Sequence, residues 1–161
     1  SYYLPSVGTT AYSMHLFLTP SPLVVSSRQV RDALLDEKSL QDVSTMTEYA
    51  DMSVVGIGAA VEGATVLRKG ILNEGELTVL KMQGAVGDVL NHFMDKDGTL
   101  IKTEIEDRGI STDLDKLRQL KNVVGVAGGK DKVTAIKAVL NGGYLNVLIT
   151  DSDTAAELLL S

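Results

Sequence analysis

Hydrophobic and polar residues late in the chain follow two successive spacings, which predict a strand and then a helix. Val123–Ala127 is an unbroken apolar run, typical of a buried strand. Gly128-Gly129 interrupts this run, and from Lys130 to Leu140 the apolar residues recur at helical intervals. The segment is therefore predicted to form a strand, a glycine turn and a helix.

A similar alternation from Ser27 onward predicts an α/β fold, with a mainly parallel sheet and flanking helices. Ser27, Ser39 and Ser111 are suitable N-caps, and Asn73 with Glu76 forms a capping-box pattern. The predicted helices cover residues 28–36, 40–49, 73–83, 111–120, 130–140 and 154–160. The predicted strands cover residues 52–55, 88–94, 100–105, 123–127 and 145–150.

One antiparallel element is predicted within this alternation. Residues 88–94 and 100–105 flank the segment 95–98 (Asp-Lys-Asp-Gly), which favours a hairpin turn. Near the start of the chain, Tyr2–Leu4 and His15–Leu18 resemble short strands with little room for a helix between them. The 161 residues suffice for one domain, so a single domain over residues 1–161 is expected, with part of an α/β unit missing.

Composition excludes several kinds of chemistry. The chain has no cysteine, which rules out disulfides and thiol catalysis and is typical of the reducing cytoplasm. Its two histidines, His15 and His92, lack partners at metal or catalytic-triad spacing. No apolar run approaches the roughly 18 residues that a membrane helix needs. We therefore expect a cytoplasmic protein with no metal, no cofactor and no catalytic residues.

The net charge argues against nucleic-acid binding by this chain. The formal charge is −6 and the isoelectric point is about 4.8, whereas phosphate backbones are neutralised by clustered lysine and arginine. The helices predicted at 28–36 and 40–49 have the order of a helix-turn-helix, but acidic residues outnumber basic ones there. Any contact with DNA is expected to come from residues outside this sequence.

The Gly128–Lys132 turn is a candidate anion site. Ligands of parallel α/β sheets bind at the carboxyl ends of strands, where this turn is expected to lie. Its glycines allow backbone N–H groups to approach a ligand, and the following helix supplies partial positive charge. Lys130 and Lys132 oppose the helix dipole, which favours a bound anion. The alternative is an ordinary turn with solvated lysines.

Two further turns carry candidates of other kinds. Gly58 ends a glycine turn that is no dinucleotide fingerprint, because Val61 takes the place of the third glycine; it either faces a ligand or only shapes the chain. Asp88 follows small apolar residues and can accept hydrogen bonds from sugar hydroxyls, unless it only caps a turn. Arg68, next to Lys69, can clamp a phosphate, unless the two are solvated.

Five stretches of the chain, in this order and spacing, resemble the effector-binding domain of SorC/DeoR-type bacterial transcriptional regulators. The resemblance extends from about Pro20 to the C-terminus. The matching stretches are Val55-Gly-Ile-Gly58, Gly84-Ala-Val-Gly-Asp88, Phe93-Met-Asp-Lys-Asp-Gly98, Gly125-Val-Ala-Gly-Gly129 with Lys132 and Ala135-Ile136, and Asn146-Val-Leu-Ile-Thr-Asp151 with Thr154-Ala155 and Leu158-Leu159.

The resemblance implies a sugar-isomerase-like α/β fold, related to glucosamine-6-phosphate deaminase, ribose-5-phosphate isomerase and the CoA transferases. It also implies a self-associating regulator of carbohydrate metabolism that senses a phosphorylated sugar and changes its operator binding. The N-terminal DNA-binding module of the family is absent, as is its first βα unit, whose Gly-Gly-Ser/Thr turn supplies much of the phosphate cradle. The chain is therefore expected to be the C-terminal portion of an effector-binding domain.

The resemblance also implies roles for individual residues. Asp88 would contact sugar hydroxyls, and Lys132 would meet a phosphate or a nearby oxygen. A basic residue after the first glycine turn would also contact the ligand, and both Arg68 and Lys69 fit that position. The ligand-binding residues that we predict are Gly58, Arg68, Asp88, Gly128, Gly129 and Lys132.

Two alternative functions are compatible with this fold. One is a sugar-phosphate isomerase or deaminase with Asp88 as its general base, although Ala59-Ala60-Val61 replaces the Asp-Gly-His of those enzymes. The other is an oligomerisation unit with a vestigial pocket. Binding of a sugar phosphate without turnover distinguishes the regulator from both.

Overall fold

The computed structural model describes residue 19, residues 21–61 and residues 63–160. Its helices are α1 (Arg28–Leu35), α2 (Lys38–Glu48), α3 (Thr65–Arg68), α4 (Glu74–Met82), α5 (Leu114–Gln119), α6 (Val133–Asn141) and α7 (Ser152–Leu160). Its strands are β1 (Ser53–Ala59), β2 (Gly87–Val89), β3 (His92–Met94), β4 (Val123–Val126) and β5 (Val147–Ile149). The strands predicted at Tyr2–Leu4 and His15–Leu18 lie outside the described residues.

The strands form one sheet in the order β3-β2-β1-β4-β5. β1, β4 and β5 are parallel to one another. β2 and β3 form an antiparallel hairpin, and β2 is also antiparallel to β1. The predicted α/β fold, with a parallel sheet core and flanking helices, is therefore confirmed, whereas the inserted hairpin is formed by other residues than predicted.

Helix α6 packs on one face of this sheet and forms the centre of the main core. Its residues Ala135, Ile136, Ala138 and Val139 are fully buried against β1 and β2. Gly87 in β2 permits this close approach, because a Cβ at that position would overlap with the side chain of Ala135. The small residues of α6 and β2 therefore bring the start of α6 close to the sheet edge.

The opposite face of the parallel strands is apolar but exposed. Val54 of β1, Val126 of β4, and Val147 and Ile149 of β5 are 64, 44, 48 and 55% exposed. Their registers place all four on the same face. Val124 of β4 lies on this face too but is buried, so in the described part of the chain this face of the parallel strands is only partly exposed.

The prediction that the first strand ends at Gly56–Gly58 is wrong. β1 continues through both glycines to Ala59. Val55, Ile57 and Ala59 are buried at two-residue intervals, and the two glycines occupy the other side of the strand. The period of two continues across the glycines, so Gly58 belongs to the strand rather than to a turn.

The hairpin reverses earlier than predicted. A single strand over residues 88–94 is wrong, because the chain turns back at Leu90 and Asn91, whose φ angles are 54° and 66°. Two consecutive left-handed residues suit a two-residue hairpin, but leucine has no preference for that conformation. The tight turn predicted at residues 95–98 is present, but the residues after it form only an isolated bridge from Leu100 to Met94 in place of the strand predicted at 100–105.

Two predicted helix starts are confirmed at atomic detail. The Ser27 hydroxyl accepts the Val30 N–H at 3.3 Å, at the start of α1. Asn73 and Glu76 form a reciprocal capping box, with hydrogen bonds of 2.8 and 2.9 Å. These local signals needed no knowledge of the tertiary structure, because each cap is satisfied within four residues.

Two other helix starts differ from the prediction. α2 is preceded by Glu37 rather than capped by Ser39. α5 begins at Leu114, where the Asp113 carboxylate caps it, instead of at Ser111. The Ser111 hydroxyl lies 3.0 Å from the His92 ring, so this tertiary contact replaces the expected cap. None of the described helices is both long and apolar enough to cross a lipid bilayer.

Candidate functional site

A cavity of about 500 Å³ opens at the carboxyl ends of β1 and β4. Its size lies within the range of about 300–1,000 Å³ typical of small-molecule sites. The residues predicted as a ligand site all line it: Gly58, Arg68, Asp88, Gly128, Gly129 and Lys132, together with the alternative Lys69. The fold therefore brings into one cavity three chain segments that are far apart in the sequence.

The topology of the sheet explains this convergence. The Gly128–Lys132 turn follows β4, and the loop that contains Arg68 follows β1, so both leave the sheet at its carboxyl edge. β2 runs antiparallel to β1, so its first residues lie beside the last residues of β1. Asp88 of β2 pairs with Gly58 of β1 and thereby joins the same edge.

Asp88 is the buried acid of this cavity, with 8% of its surface exposed. One carboxylate oxygen, Oδ2, accepts the Asn91 N–H at 3.3 Å. Burial raises the pKa of Asp88 above its ordinary value, although this hydrogen bond and the positive charge of Lys132 act in the opposite direction. A carboxyl group that is held out of water and has free acceptor capacity is suited to hydroxyl groups of a ligand.

Lys132 brings positive charge to the cavity, near enough to Asp88 to act on its pKa. Its ammonium group donates to the Ile57 carbonyl of β1 at 2.8 Å, which holds the half-buried side chain over the strand. Lys130, in the same turn, is exposed and is not among the cavity residues. The structure therefore separates the two lysines, as the resemblance implied.

The glycine turn between β4 and α6 is rigidly held. Gly129 has φ 105° and ψ 144°, a conformation that is accessible only to glycine. Its N–H is already used within the protein, because it donates to Asp151 Oδ2 at 3.0 Å and to Thr154 Oγ1 at 2.8 Å. The expectation that this N–H is available to an anion is therefore wrong for Gly129.

The basic loop after β1 forms the remaining wall. Arg68 ends the short helix α3, and its guanidinium donates to Thr65 Oγ1 at 3.3 Å. Apolar residues of the same loop, among them Val66 and Ile71, complete this side of the cavity. The exposed guanidinium has further donors beyond the one bonded to Thr65, so it can also reach an anion.

Three residues that shape the site have no role predicted from the sequence. Asn91 supplies the N–H that holds Asp88, and it does so from a left-handed turn that the residue pattern did not reveal. Asp151 and Thr154 belong to the last of the five stretches that resemble the regulators, but their contact with Gly129 joins residues more than twenty positions apart. The only local signal was the N-cap pattern of Asp151 and Thr154 themselves.

An α/β domain with a polar cavity at the carboxyl edge of its sheet is a small-molecule-binding domain. The family model Sugar-bind, described as a sugar-binding domain, matches residues 8–160. The chain therefore belongs to this family of sugar-binding domains.

Curated relatives of the chain are transcriptional regulators. Over 160 residues it is 40% identical to the transcriptional regulator LsrR of Klebsiella pneumoniae subsp. pneumoniae, which covers 98% of this chain and 50% of that protein. It is 37% identical over 162 residues to LsrR of Escherichia coli K12, with 99% and 51% covered. The chain thus spans about half the length of the curated relatives it matches.

Solved structures give the same result. A DeoR family transcriptional regulator from Listeria monocytogenes superimposes with a TM-score of 0.87 at 26% identity, covering 93% of this chain and 61% of that one. The full-length sorbitol operon regulator SorC from Klebsiella pneumoniae gives 0.77 at 28% identity, covering 86 and 44%. The resemblance to SorC/DeoR-type regulators is therefore confirmed.

Proposed function

We propose that this cavity binds a phosphorylated sugar, and that the chain is the sensing part of a longer regulator of carbohydrate metabolism. The observation that carries the proposal is the convergence of one buried acid with basic groups around a single cavity. A sugar needs acceptors and donors for its hydroxyls, whereas a phosphate needs cations and the start of a helix. Both kinds of group are present at the carboxyl edge of the sheet.

In this proposal, each group has a separate role. Asp88 accepts hydrogen bonds from sugar hydroxyls. Lys132 and the start of α6, which the Gly128-Gly129 turn places at the cavity, meet the phosphate. Arg68 clamps the same phosphate from the opposite wall, with Lys69 as the alternative contact, and Gly58 allows the ligand and Asp88 to approach β1.

The similarity to longer regulators supports a proposal about which part of a protein this chain forms. We propose that residues 1–161 are the C-terminal portion of an effector-binding domain, and that the DNA-binding module lies in the part of the regulator outside this sequence. The regulator would act in the cytoplasm as a self-associated assembly, without a cofactor. Effector binding would then shift the equilibrium of that assembly and so its operator affinity.

A calorimetric comparison of matched ligands tests the binding proposal. The protein is titrated with ribose 5-phosphate and fructose 6-phosphate, and in parallel with ribose and fructose. We expect at least one phosphorylated sugar to bind about tenfold or more tightly than its unphosphorylated partner, because the phosphate forms charge-assisted hydrogen bonds. Equal affinities for both members of each pair would contradict the phosphate part of the proposal.

The enzymatic alternative has one observation in its favour. The raised pKa of the buried Asp88 suits a group that transfers protons. We propose nevertheless that the chain is no enzyme, because the residues after Gly58 that match the enzymes' Asp-Gly-His are Ala59-Ala60-Val61. Proton NMR of the same ligand mixtures decides between the two, since conversion of either sugar phosphate by the protein would establish turnover.

A further inference from the structure

The first turn of α7 is joined to the glycine turn of the cavity by a closed set of hydrogen bonds. Asp151 Oδ1 accepts the Thr154 N–H at 2.8 Å, which is an ordinary N-cap contact. Asp151 Oδ2 accepts the Thr154 hydroxyl at 2.8 Å and the Gly129 N–H at 3.0 Å. The Thr154 hydroxyl oxygen accepts the same Gly129 N–H at 2.8 Å. Neither Asp151 nor Thr154 lines the cavity.

We propose that Asp151 and Thr154 are positioning residues, which fix the Gly128-Gly129 turn in the conformation that receives the phosphate of the ligand. The inference rests on the proposed function, because it assigns these two residues to the phosphate end of that same site. The conformation of the glycine turn would then be set by helix α7 and not only by the residues that line the cavity.

Helix capping alone does not account for this arrangement. A cap needs one side-chain oxygen, and Asp151 Oδ1 serves that purpose. The second carboxylate oxygen and the buried Thr154 hydroxyl both converge on Gly129, which belongs to a different chain segment. Thr154 has no exposed surface, so its hydroxyl finds its partners within this set of contacts.

The glycine turn is also shaped around the Asp151 carboxylate. A Cβ at Gly128 would overlap with Asp151 Oδ2, so only glycine admits the carboxylate at this distance. Gly129 adopts a φ of 105°, which other residues avoid. Both glycines are therefore explained by the contact with α7, before any ligand is considered.

This contact also decides which groups remain for the phosphate. The Gly129 N–H is occupied by Asp151 and Thr154, so the anion must be met by groups that follow it in the chain. Lys130 comes next but is not a cavity residue, whereas Asp131 and Lys132 line the cavity and Lys132 supplies the cation. The hydrogen bonds that Asp151 accepts lower its pKa, so its carboxylate stays ionised at neutral pH and continues to hold the turn.

The experiment uses a pair of substitutions at one buried position. Thr154→Val removes the hydroxyl and keeps the shape of the side chain, whereas Thr154→Ser keeps the hydroxyl. Asp153→Asn is the control for charge, because Asp153 is an exposed acid in the same first turn of α7. For each variant we measure the amide hydrogen exchange of Gly129, the melting temperature, and the affinities for fructose 6-phosphate, ribose 5-phosphate and inorganic phosphate.

We expect Thr154→Val to accelerate the amide hydrogen exchange of Gly129 and to lower the affinity for phosphate-containing ligands by about tenfold. Thr154→Ser and Asp153→Asn should leave both properties unchanged. An unchanged exchange rate of Gly129 in Thr154→Val, or an unchanged affinity despite faster exchange, would overturn the positioning role. If Thr154→Val does not fold, Asp151→Asn is measured in its place, since asparagine still caps a helix but cannot offer two acceptor oxygens.

The same data separate this inference from the proposed function. If the unsubstituted protein binds no phosphorylated sugar, the proposed function fails. The positioning role is then decided by Gly129 exchange and by the titration with inorganic phosphate, and it is overturned if Thr154→Val leaves either of them unchanged. If the unsubstituted protein binds and Thr154→Val binds equally well, the positioning role fails while the proposed function stands.

Discussion

Gly58 of β1 lies directly opposite Asp88 of β2, and the absence of a side chain at Gly58 provides the space for the Asp88 carboxylate. A Cβ on residue 58 would overlap with Asp88 Oδ1 and would lie 2.9 Å from Asp88 Cγ. The antiparallel register pairs the same two residues. One glycine therefore determines where the buried acid of the cavity is placed.

Gly58→Ala should destabilise the fold by about 1–3 kcal/mol, because the Asp88 side chain or the two strands must move apart. The measurement is the free energy of unfolding in urea. Gly56→Ala is the matched control for stability: it lies in the same strand, and no described atom outside its neighbours comes within 4 Å of a Cβ there. A double-mutant cycle makes the test specific, since Gly58→Ala should cost much less in an Asp88→Ala background. Equal costs in both backgrounds would show that Asp88 is not the obstacle.

Asp88→Asn should raise stability near neutral pH while weakening ligand binding. Burial raises the pKa of Asp88 in the folded state, so ionisation opposes folding as the pH rises through that raised value. The neutral amide avoids this cost, and we expect a gain on the order of 1 kcal/mol at pH 7 that disappears in acid. Urea unfolding at several pH values measures it. A loss of stability at pH 7 would mean that the ionised carboxylate is net favourable where it lies.

The lysines of the glycine turn give a direct test of the phosphate contact. Lys132→Met removes the charge but keeps the apolar stem, and we expect the affinity for a phosphorylated sugar to fall by about tenfold or more. Binding of the unphosphorylated sugar should change much less. Lys130→Met removes the same charge from the exposed neighbour and serves as the control. Similar losses in both variants would indicate general attraction of anions rather than a contact by Lys132.

The sequence predicted the residues of the cavity better than the elements that carry them. Gly128, Gly129 and Lys132 lie where the spacing places them, because a strand, a glycine turn and a helix are encoded within one short segment. Asp88 lies near a strand end, as expected, but this strand is only Gly87–Val89 and is followed by a hairpin turn that contains Leu90 in a left-handed conformation. No local preference of leucine indicates such a turn, so its position depends on tertiary packing.

Contacts between distant segments were beyond the reach of sequence patterns. The Asp151 carboxylate is a recognisable helix cap. Its second oxygen, however, accepts the N–H of Gly129, which belongs to a different βα unit. For His92, the sequence predicted only that it lacks partners at metal or catalytic-triad spacing. Its ring instead joins β3 to the segment before α5, a pairing that depends on how the loop folds back.

Both ring nitrogens of the buried His92 face acceptors. Nδ1 lies 2.6 Å from Glu106 Oε1, and Nε2 lies 2.8 Å from the Thr112 carbonyl. Only the protonated ring can donate in both directions at once. Burial lowers the pKa of His92, but the hydrogen bond and charge of Glu106, with the Thr112 carbonyl, outweigh it, so the pKa is raised above 6.5.

His92→Gln should therefore destabilise the protein more in mild acid than in base. A raised folded-state pKa gives stabilisation that is complete below the unfolded value and is lost as the pH rises through the folded value. The difference in unfolding free energy between the unsubstituted protein and the variant should thus be larger at about pH 6 than at about pH 9, by on the order of 1 kcal/mol. Glu106→Gln keeps a hydrogen-bonding group but removes the charge, so it should abolish most of this dependence. A difference that is constant from about pH 6 to pH 9 would show that the ring is held neutral.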